Sequence, residues 1–271
     1  HHLPRPVTIG VNAMARVPLA LQLYSVRNEL AADTRGTLKA VADMGYEGVE
    51  FAGGPQNTGE ELKGYLDEFG LVCCGWHTPW GSVQPDKIDE TIELNKTVGN
   101  RHLIVPGLPG DLTGSRDAWL SLAGKFDDIA ERLTADDMVT GYHNHHTEFR
   151  LLDGEMPWDT LFGNTGDGVV MQLDTGNALH GDADILDILK RYPGRAGTVH
   201  LKPYSPSLAK DGGHGGFRPV IGEDESPWEE IFGICEATGG TEWYIVEYES
   251  DAYEPLDAVD RCLKGLKAMG K

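Results

Sequence analysis

The sequence predicts an α/β protein built as a single closed (β/α)8 barrel, and three observations carry that prediction. Eight short apolar, β-branched runs alternate with amphipathic segments along 271 residues, and such alternation builds a parallel sheet covered by helices. No G-x-G-x-x-G turn follows the first run, which disfavours an open doubly wound sheet. No break in composition marks a second domain, and 40% hydrophobic residues can fill one large core. The domain is read as residues 3–271, with His1 and His2 set aside as a tag remnant.

Each element has its own signal. Residues 17–24 (VPLALQLY) form the first strand, and Asp33 or Thr34 caps a helix carrying Leu38, Val41 and Ala42 on one face. Residues 46–52 (YEGVEFA) form the second strand. Thr58 and Glu61 make a capping box for the next helix, which Gly70 ends. The third strand is 71–77 (LVCCGWH); a helix from Pro85 to about Val98 leads to the fourth, 102–106 (HLIVP). A long amphipathic helix spans 115–133, the fifth strand 138–145 (MVTGYHNH), and a short helix 155–162. The sixth strand is 169–174 (VVMQLD), followed by a helix near 184–192 and the seventh strand, 196–204 (AGTVHLKPY). Ser226 opens a helix with Pro227 at its first position. Residues 243–247 (WYIVE) are the eighth strand, and 255–269 the closing helix.

Composition excludes several functions. A formal charge of −20 repels phosphate backbones, which argues against nucleic acid and suits a protein holding a divalent cation. No apolar run reaches membrane-spanning length. The four cysteines, 73, 74, 235 and 262, form neither a C-x-x-C motif nor a disulfide framework. A reducing, cytoplasmic location is therefore expected.

Side chains on a strand alternate faces, so Thr198, His200 and Lys202 share one face, as do Gln172 and Asp174. Barrels carry their sites at the C-terminal strand ends. The ionisable residues expected there are Glu50, His77, His143, His145, Asp174, His200, Lys202 and Glu247, with Glu148 just beyond. Simpler roles exist for each. Asp174 could cap the following turn, Glu249 rivals Glu247, and His145–His146 could be an exposed loop pair. Trp76, Trp80 and Trp158 could line a site or pack, and packing suits Trp158 best. The glycine-rich loop 205–224, with Gly212, Gly213, Gly215 and Gly216, is expected to be mobile and to close over substrate, with Arg218 a candidate to reach it.

The segments LQLYSVR (21–27), GYEGVEF (45–51), YHNHHTEF (142–149), LDTGN (173–177), VHLK (199–202) and IVE (245–247) give the chain its resemblance to a known family. It resembles the xylose isomerase-like TIM barrels, also called sugar phosphate isomerases/epimerases, and within them a YHNHxxEF subgroup. The resemblance implies one divalent metal held by residues at the ends of strands five to eight. Asp174, His200 and Glu247 match three of these directly. Glu148 is expected as the strand-five ligand, because Tyr142 stands where many members have glutamate; His143 or His145 could substitute. Three carboxylates and one imidazole suit Mn²⁺ first, with Mg²⁺, Co²⁺ or Zn²⁺ as alternatives.

That site implies a divalent-metal-dependent isomerase or epimerase acting on a keto-sugar, sugar phosphate or cyclitol through α-proton abstraction. Glu148 and Glu247 would shuttle protons, Lys202 would steady the oxyanion, and His143 or His145 would protonate a leaving group. Glu50, His77 and Arg218 are expected to contact substrate. A dehydratase or lyase, inosose dehydratase-like or a 3-keto-glycoside β-eliminase, is the alternative, and a non-catalytic binding or partner barrel the second. DNA-repair endonucleases of the same superfamily are disfavoured by the acidic charge. The expected partner is a small sugar or cyclitol; a homo-oligomer stays open.

Overall fold

A computed structural model of the chain describes residues 15–210 and 214–271. Eight parallel strands form its centre: β1 (Leu19–Gln22), β2 (Gly48–Ala52), β3 (Val72–His77), β4 (His102–Val105), β5 (Val139–His143), β6 (Val169–Gln172), β7 (Thr198–Leu201) and β8 (Trp243–Val246). Their order, β6-β5-β4-β3-β2-β1-β8-β7, leaves β6 and β7 as the two ends of one sheet. Those ends meet: His200 N–H donates to the Leu173 carbonyl at 2.9 Å, beside a parallel bridge between Asp174 and His200. The sheet is thus a near-closed barrel, as expected.

The helices outside it are α1 (Arg27–Ala32), α2 (Thr34–Met44), α3 (Gly59–Phe69), α4 (Ile88–Val98), α5 (Arg116–Thr134), α6 (Pro157–Phe162), α7 (Thr175–His180), α8 (Ile185–Arg191), α9 (Trp228–Ile234) and α10 (Pro255–Ala268). Asp33 caps α2, and Thr58 and Glu61 form the reciprocal capping box of α3, which ends on a left-handed Gly70. The main core lies between strands and helices, around Leu103, Phe126, Trp158 and Val199.

Several boundaries differ from expectation. Each strand is trimmed, because residues flanking the ladder lose their partners once the barrel curves away. The fourth helix begins at Ile88, after a 3₁₀ turn over Trp80–Val83. Pro227 is the N-cap of α9 rather than its first residue. Gly212 and Gly213 lie outside the described residues, while Gly215 and Gly216 belong to a 3₁₀ turn, His214–Phe217, packed on Tyr204. All four cysteines are free and buried.

The barrel interior changes character along its axis. Ala20, Cys74 and Ile245 form a small apolar floor. Above it come Gln22, Glu50, Gln172 and Thr198, all fully buried, and then the histidines. The β2–β3 register slips between Val49, opposite Cys73, and Glu50, opposite Gly75. This bulge sets Gly75 against the Glu50 carboxylate, where a Cβ would lie only 2.5 Å from Oε2. The glycine makes room for a buried charge.

Candidate metal centre and active site

Strands β5 to β8 deliver four side chains to one point. His143, Asp174, His200 and Glu247 each offer a donor atom, all within 4.8 Å of one another, and all four residues are buried. His143 Nε2 and His200 Nδ1 stand 3.6 and 3.7 Å from Asp174 Oδ2, and His200 Nδ1 lies 2.7 Å from Glu247 Oε2, unaligned for a hydrogen bond. Among the described residues, Asp174 Oδ2, His200 Nδ1 and Glu247 Oε2 have no hydrogen-bond partner. Buried polar atoms are almost always paired, so three orphans at one spot leave a place for a cation. These residues could hold a metal ion.

The chain fixes the donors from behind. Asp174 Oδ1 accepts from Asn177 N–H at 2.8 Å, capping α7, while Asn144 bonds the Asp174 backbone on both sides, accepting from N–H (2.7 Å) and donating to the carbonyl (3.2 Å). Below, Glu50 Oε1 accepts from Gln22 Nε2 (2.7 Å) and His200 Nε2 (2.6 Å), and Oε2 accepts from Gln172 Nε2 (2.9 Å). The Gln172 amide also donates to Thr198 Oγ1 (2.9 Å); its carbonyl oxygen lies 2.7 Å from His77 Nε2 and 3.1 Å from His143 Nδ1.

The electrostatics agree with this arrangement. Burial alone would raise the Glu50 pKa, but the imidazoles of His77 and His200 and bonds from His200 and Gln172 bring it down to about 2. Burial opposes charge on His200 as well, yet Glu50, Asp174 and Glu247 raise its pKa well above the ordinary value. His143, buried beside two other imidazoles, is pushed well below it. Glu247 is held low against burial, chiefly by the Lys202 ammonium and His200. Three carboxylates around His200 favour positive charge at this point, and a bound cation would supply it in place of a proton on Nδ1.

Above the cluster opens a cleft of about 540 Å³ lined by His77, Trp80, His145, Asn177, Lys202 and Glu249, among others. Its size suits a small ligand. Lys202 Nζ lies 3.4 Å from Glu247 Oε1 and pairs with Glu249. His145 stands at the rim with half its side chain exposed, and its Nδ1 is 3.8 Å from Glu148 Oε1.

Three expected positions fall elsewhere. Glu148 lies outside the four-donor cluster: its oxygens accept from Tyr142 Oη (2.8 Å) and His145 N–H (3.0 Å), which turns it towards the outer face of β5. In the cluster itself the residue from strand five is His143. Glu50 is fully buried beneath His200 and does not line the cleft. The Arg218 guanidinium is mostly exposed, 3.7 Å from Asp251, and does not line the cleft. His77 does line it. Trp76 and Trp158 pack in the core, and Trp80 lines the cleft. Sequence reasoning passed over Gln22 and Asn144, neutral residues whose role is visible only through their partners, and placed Thr198 on the face of His200 without giving it a task. Strand parity had placed Gln172 beside Asp174 without giving it a task.

Fold and donor cluster together define a (β/α)8 barrel whose C-terminal rim could hold a metal ion. The chain belongs to the xylose isomerase-like TIM barrel family, whose model matches residues 38–269. It is similar to an inosose dehydratase of Clostridium botulinum, 26% identical over 157 residues, 54% of this chain and 52% of the relative. The chain thus spans about half the length of that relative. An inosose dehydratase of Klebsiella pneumoniae is 25% identical over 243 residues, 78% of this chain and 81% of that protein. A solved sugar phosphate isomerase/epimerase from Parabacteroides distasonis shares the fold, with TM-score 0.77, 22% identity and coverage of 93% of this chain and 98% of the other.

Proposed function

We propose that the protein is a divalent-metal-dependent enzyme that removes the proton α to the carbonyl of a keto-sugar or cyclitol ketone. The observation that carries this reading is the convergence of three partnerless buried atoms, on Asp174, His200 and Glu247, with His143. These four residues would hold the ion. Two imidazoles and two carboxylates make a softer set than the three carboxylates expected, so Zn²⁺ and Co²⁺ join Mn²⁺ as candidates. When bound, the metal would act as a Lewis acid that lowers the cost of negative charge on the substrate oxygen.

The chain's own groups would do the rest. Lys202, at the lip of the cluster, would hold negative charge on a substrate oxygen with its ammonium. His145, with Glu148 behind it, would move a proton on the β5 side of the cleft, and Glu249 would do so on the β8 side. Trp80 and Tyr24 supply apolar walls for a sugar ring.

Of the outcomes open to such a site, we favour elimination of a β-hydroxyl, a dehydration. Strand five supplies an imidazole to the cluster instead of a third carboxylate, and one inosose dehydratase is similar over most of both chains. Epimerisation is the second reading, supported by proton carriers on both sides of the cleft. The metal-loaded protein in D₂O with keto-inositols and keto-hexoses tests both. Loss of one water per turnover, with one solvent deuteron taken up as the enol product ketonises, is expected. Deuterium uptake without mass loss would favour epimerisation, and neither change with any of these ketones would overturn the proposal.

A further inference from the structure

Glu50 is a fully buried charge one level below the donor cluster. Its two oxygens can only accept, and three nitrogens bond to them: Gln22 Nε2 and His200 Nε2 at Oε1, Gln172 Nε2 at Oε2, with His77 Nε2 standing 3.2 Å from Oε1 and 2.7 Å from the Gln172 carbonyl oxygen. The proton between Glu50 and His200 therefore sits on His200 Nε2, which leaves Nδ1 with its lone pair towards Asp174 and Glu247. The same carboxylate fixes Gln172. Because the Gln172 amide nitrogen must face Glu50, its carbonyl oxygen faces His143 Nδ1. That nitrogen must then carry the proton, leaving His143 Nε2 with its lone pair towards Asp174.

We propose that Glu50 is a positioning residue that sets the ring orientation and proton placement of both imidazoles in the cluster, acting directly on His200 and through Gln172 on His143. The inference rests on the metal reading above and adds the device that presents both lone pairs at once. Replacing Glu50 by glutamine keeps its shape but turns one acceptor into a donor. If the new amide nitrogen faces Gln22 and His200, His200 must accept at Nε2 and its proton moves to Nδ1, where the cation would bind. If it faces Gln172, donor meets donor; Gln172 must flip, and its nitrogen then confronts His143 and His77. No orientation of the amide preserves both lone pairs.

The test uses the full chain in two measurements. Mn²⁺ titration by calorimetry should show binding about 10–100-fold weaker in Glu50→Gln, the range for loss of a partner that orients a ligand, with an unchanged far-ultraviolet spectrum. Histidine nitrogen NMR of the Zn²⁺-loaded wild type should find His200 bound through Nδ1 with Nε2 protonated, and His143 bound through Nε2 with Nδ1 protonated. The second measurement decides the matter even if the variant fails to fold. Glu50→Gln binding Mn²⁺ within about twofold of wild type would overturn the proposal, as would wild-type His200 bound through Nε2. Wild type that binds neither ion would remove the metal reading and this proposal together.

Discussion

Asp174 divides its two oxygens between two tasks. Oδ1 caps α7 through Asn177 N–H, and Oδ2 is left partnerless towards His143 and His200. Cap and ligand look like rival readings in the sequence; a carboxylate can be both. Asparagine is as good an N-cap as aspartate, so Asp174→Asn should fold normally and lose the charge that faces the cation. Its Mn²⁺ affinity, measured by calorimetry, should fall by more than the roughly 10–100-fold typical of an outer partner; near-wild-type affinity would remove Asp174 from the ligand set. Two further variants separate binding from chemistry. Glu148→Gln should keep its metal, because its oxygens already serve Tyr142 and His145. His145→Ala should also keep metal by elemental analysis while turnover drops by roughly 10²–10⁴-fold, the usual loss with a general acid–base group. If Glu148→Gln strips the metal instead, Glu148 is the strand-five ligand after all. Strand parity made His200, Lys202, Asp174 and Glu247 readable in the sequence. Glu148 lies beyond the last ladder residue of β5, where parity no longer says which way a side chain turns.

At the level of elements, local chemistry was legible wherever it is self-contained. Thr58 and Glu61 bond each other's backbone within one turn of α3, and the two residue types three positions apart in the chain announce this. Thr58→Ala should cost about 0.5–2 kcal/mol, read from urea unfolding, with metal affinity unchanged. By contrast, α7 follows β6 directly with the sequence TGNALH, too short for a helical period and carrying a glycine in its first turn. Its cap, Asp174, is what starts it. The β3 bulge was equally hidden, since nothing in VCCGWH says that Gly75 must clear Glu50. Gly75→Ala would press a methyl against a buried carboxylate held from three sides. Overpacking of this kind costs roughly 1–3 kcal/mol, and because Glu50 would shift, Mn²⁺ affinity should fall along with stability in the same urea and calorimetry experiments. Stability falling without any loss of affinity would make Gly75 a packing residue only.

For the whole molecule, the question is how much of its stability resides in the centre of the barrel. The chain carries a formal charge of −20, and Glu50, Asp174 and Glu247 place three carboxylates in a buried region served by imidazoles and one lysine. A ligand that binds only the folded state stabilises it by about 2.7 kcal/mol at a concentration 100 times its Kd. For a chain of this size each kcal/mol moves Tm by roughly 2–4 °C, so Mn²⁺ added to EDTA-treated protein should raise Tm by roughly 5–10 °C. So acidic a protein also gains from mere screening of its self-repulsion, because added salt weakens repulsion between exposed charges. Potassium chloride at matched ionic strength measures that part, and it should be the smaller one. Thr58→Ala, remote from the cluster, should melt earlier yet gain the same increment from Mn²⁺, whereas Asp174→Asn should gain little beyond the potassium chloride effect. An equal rise with manganese and potassium in the wild type would mean that the cation acts on the surface, and that the barrel holds its buried carboxylates through hydrogen bonds and imidazoles alone.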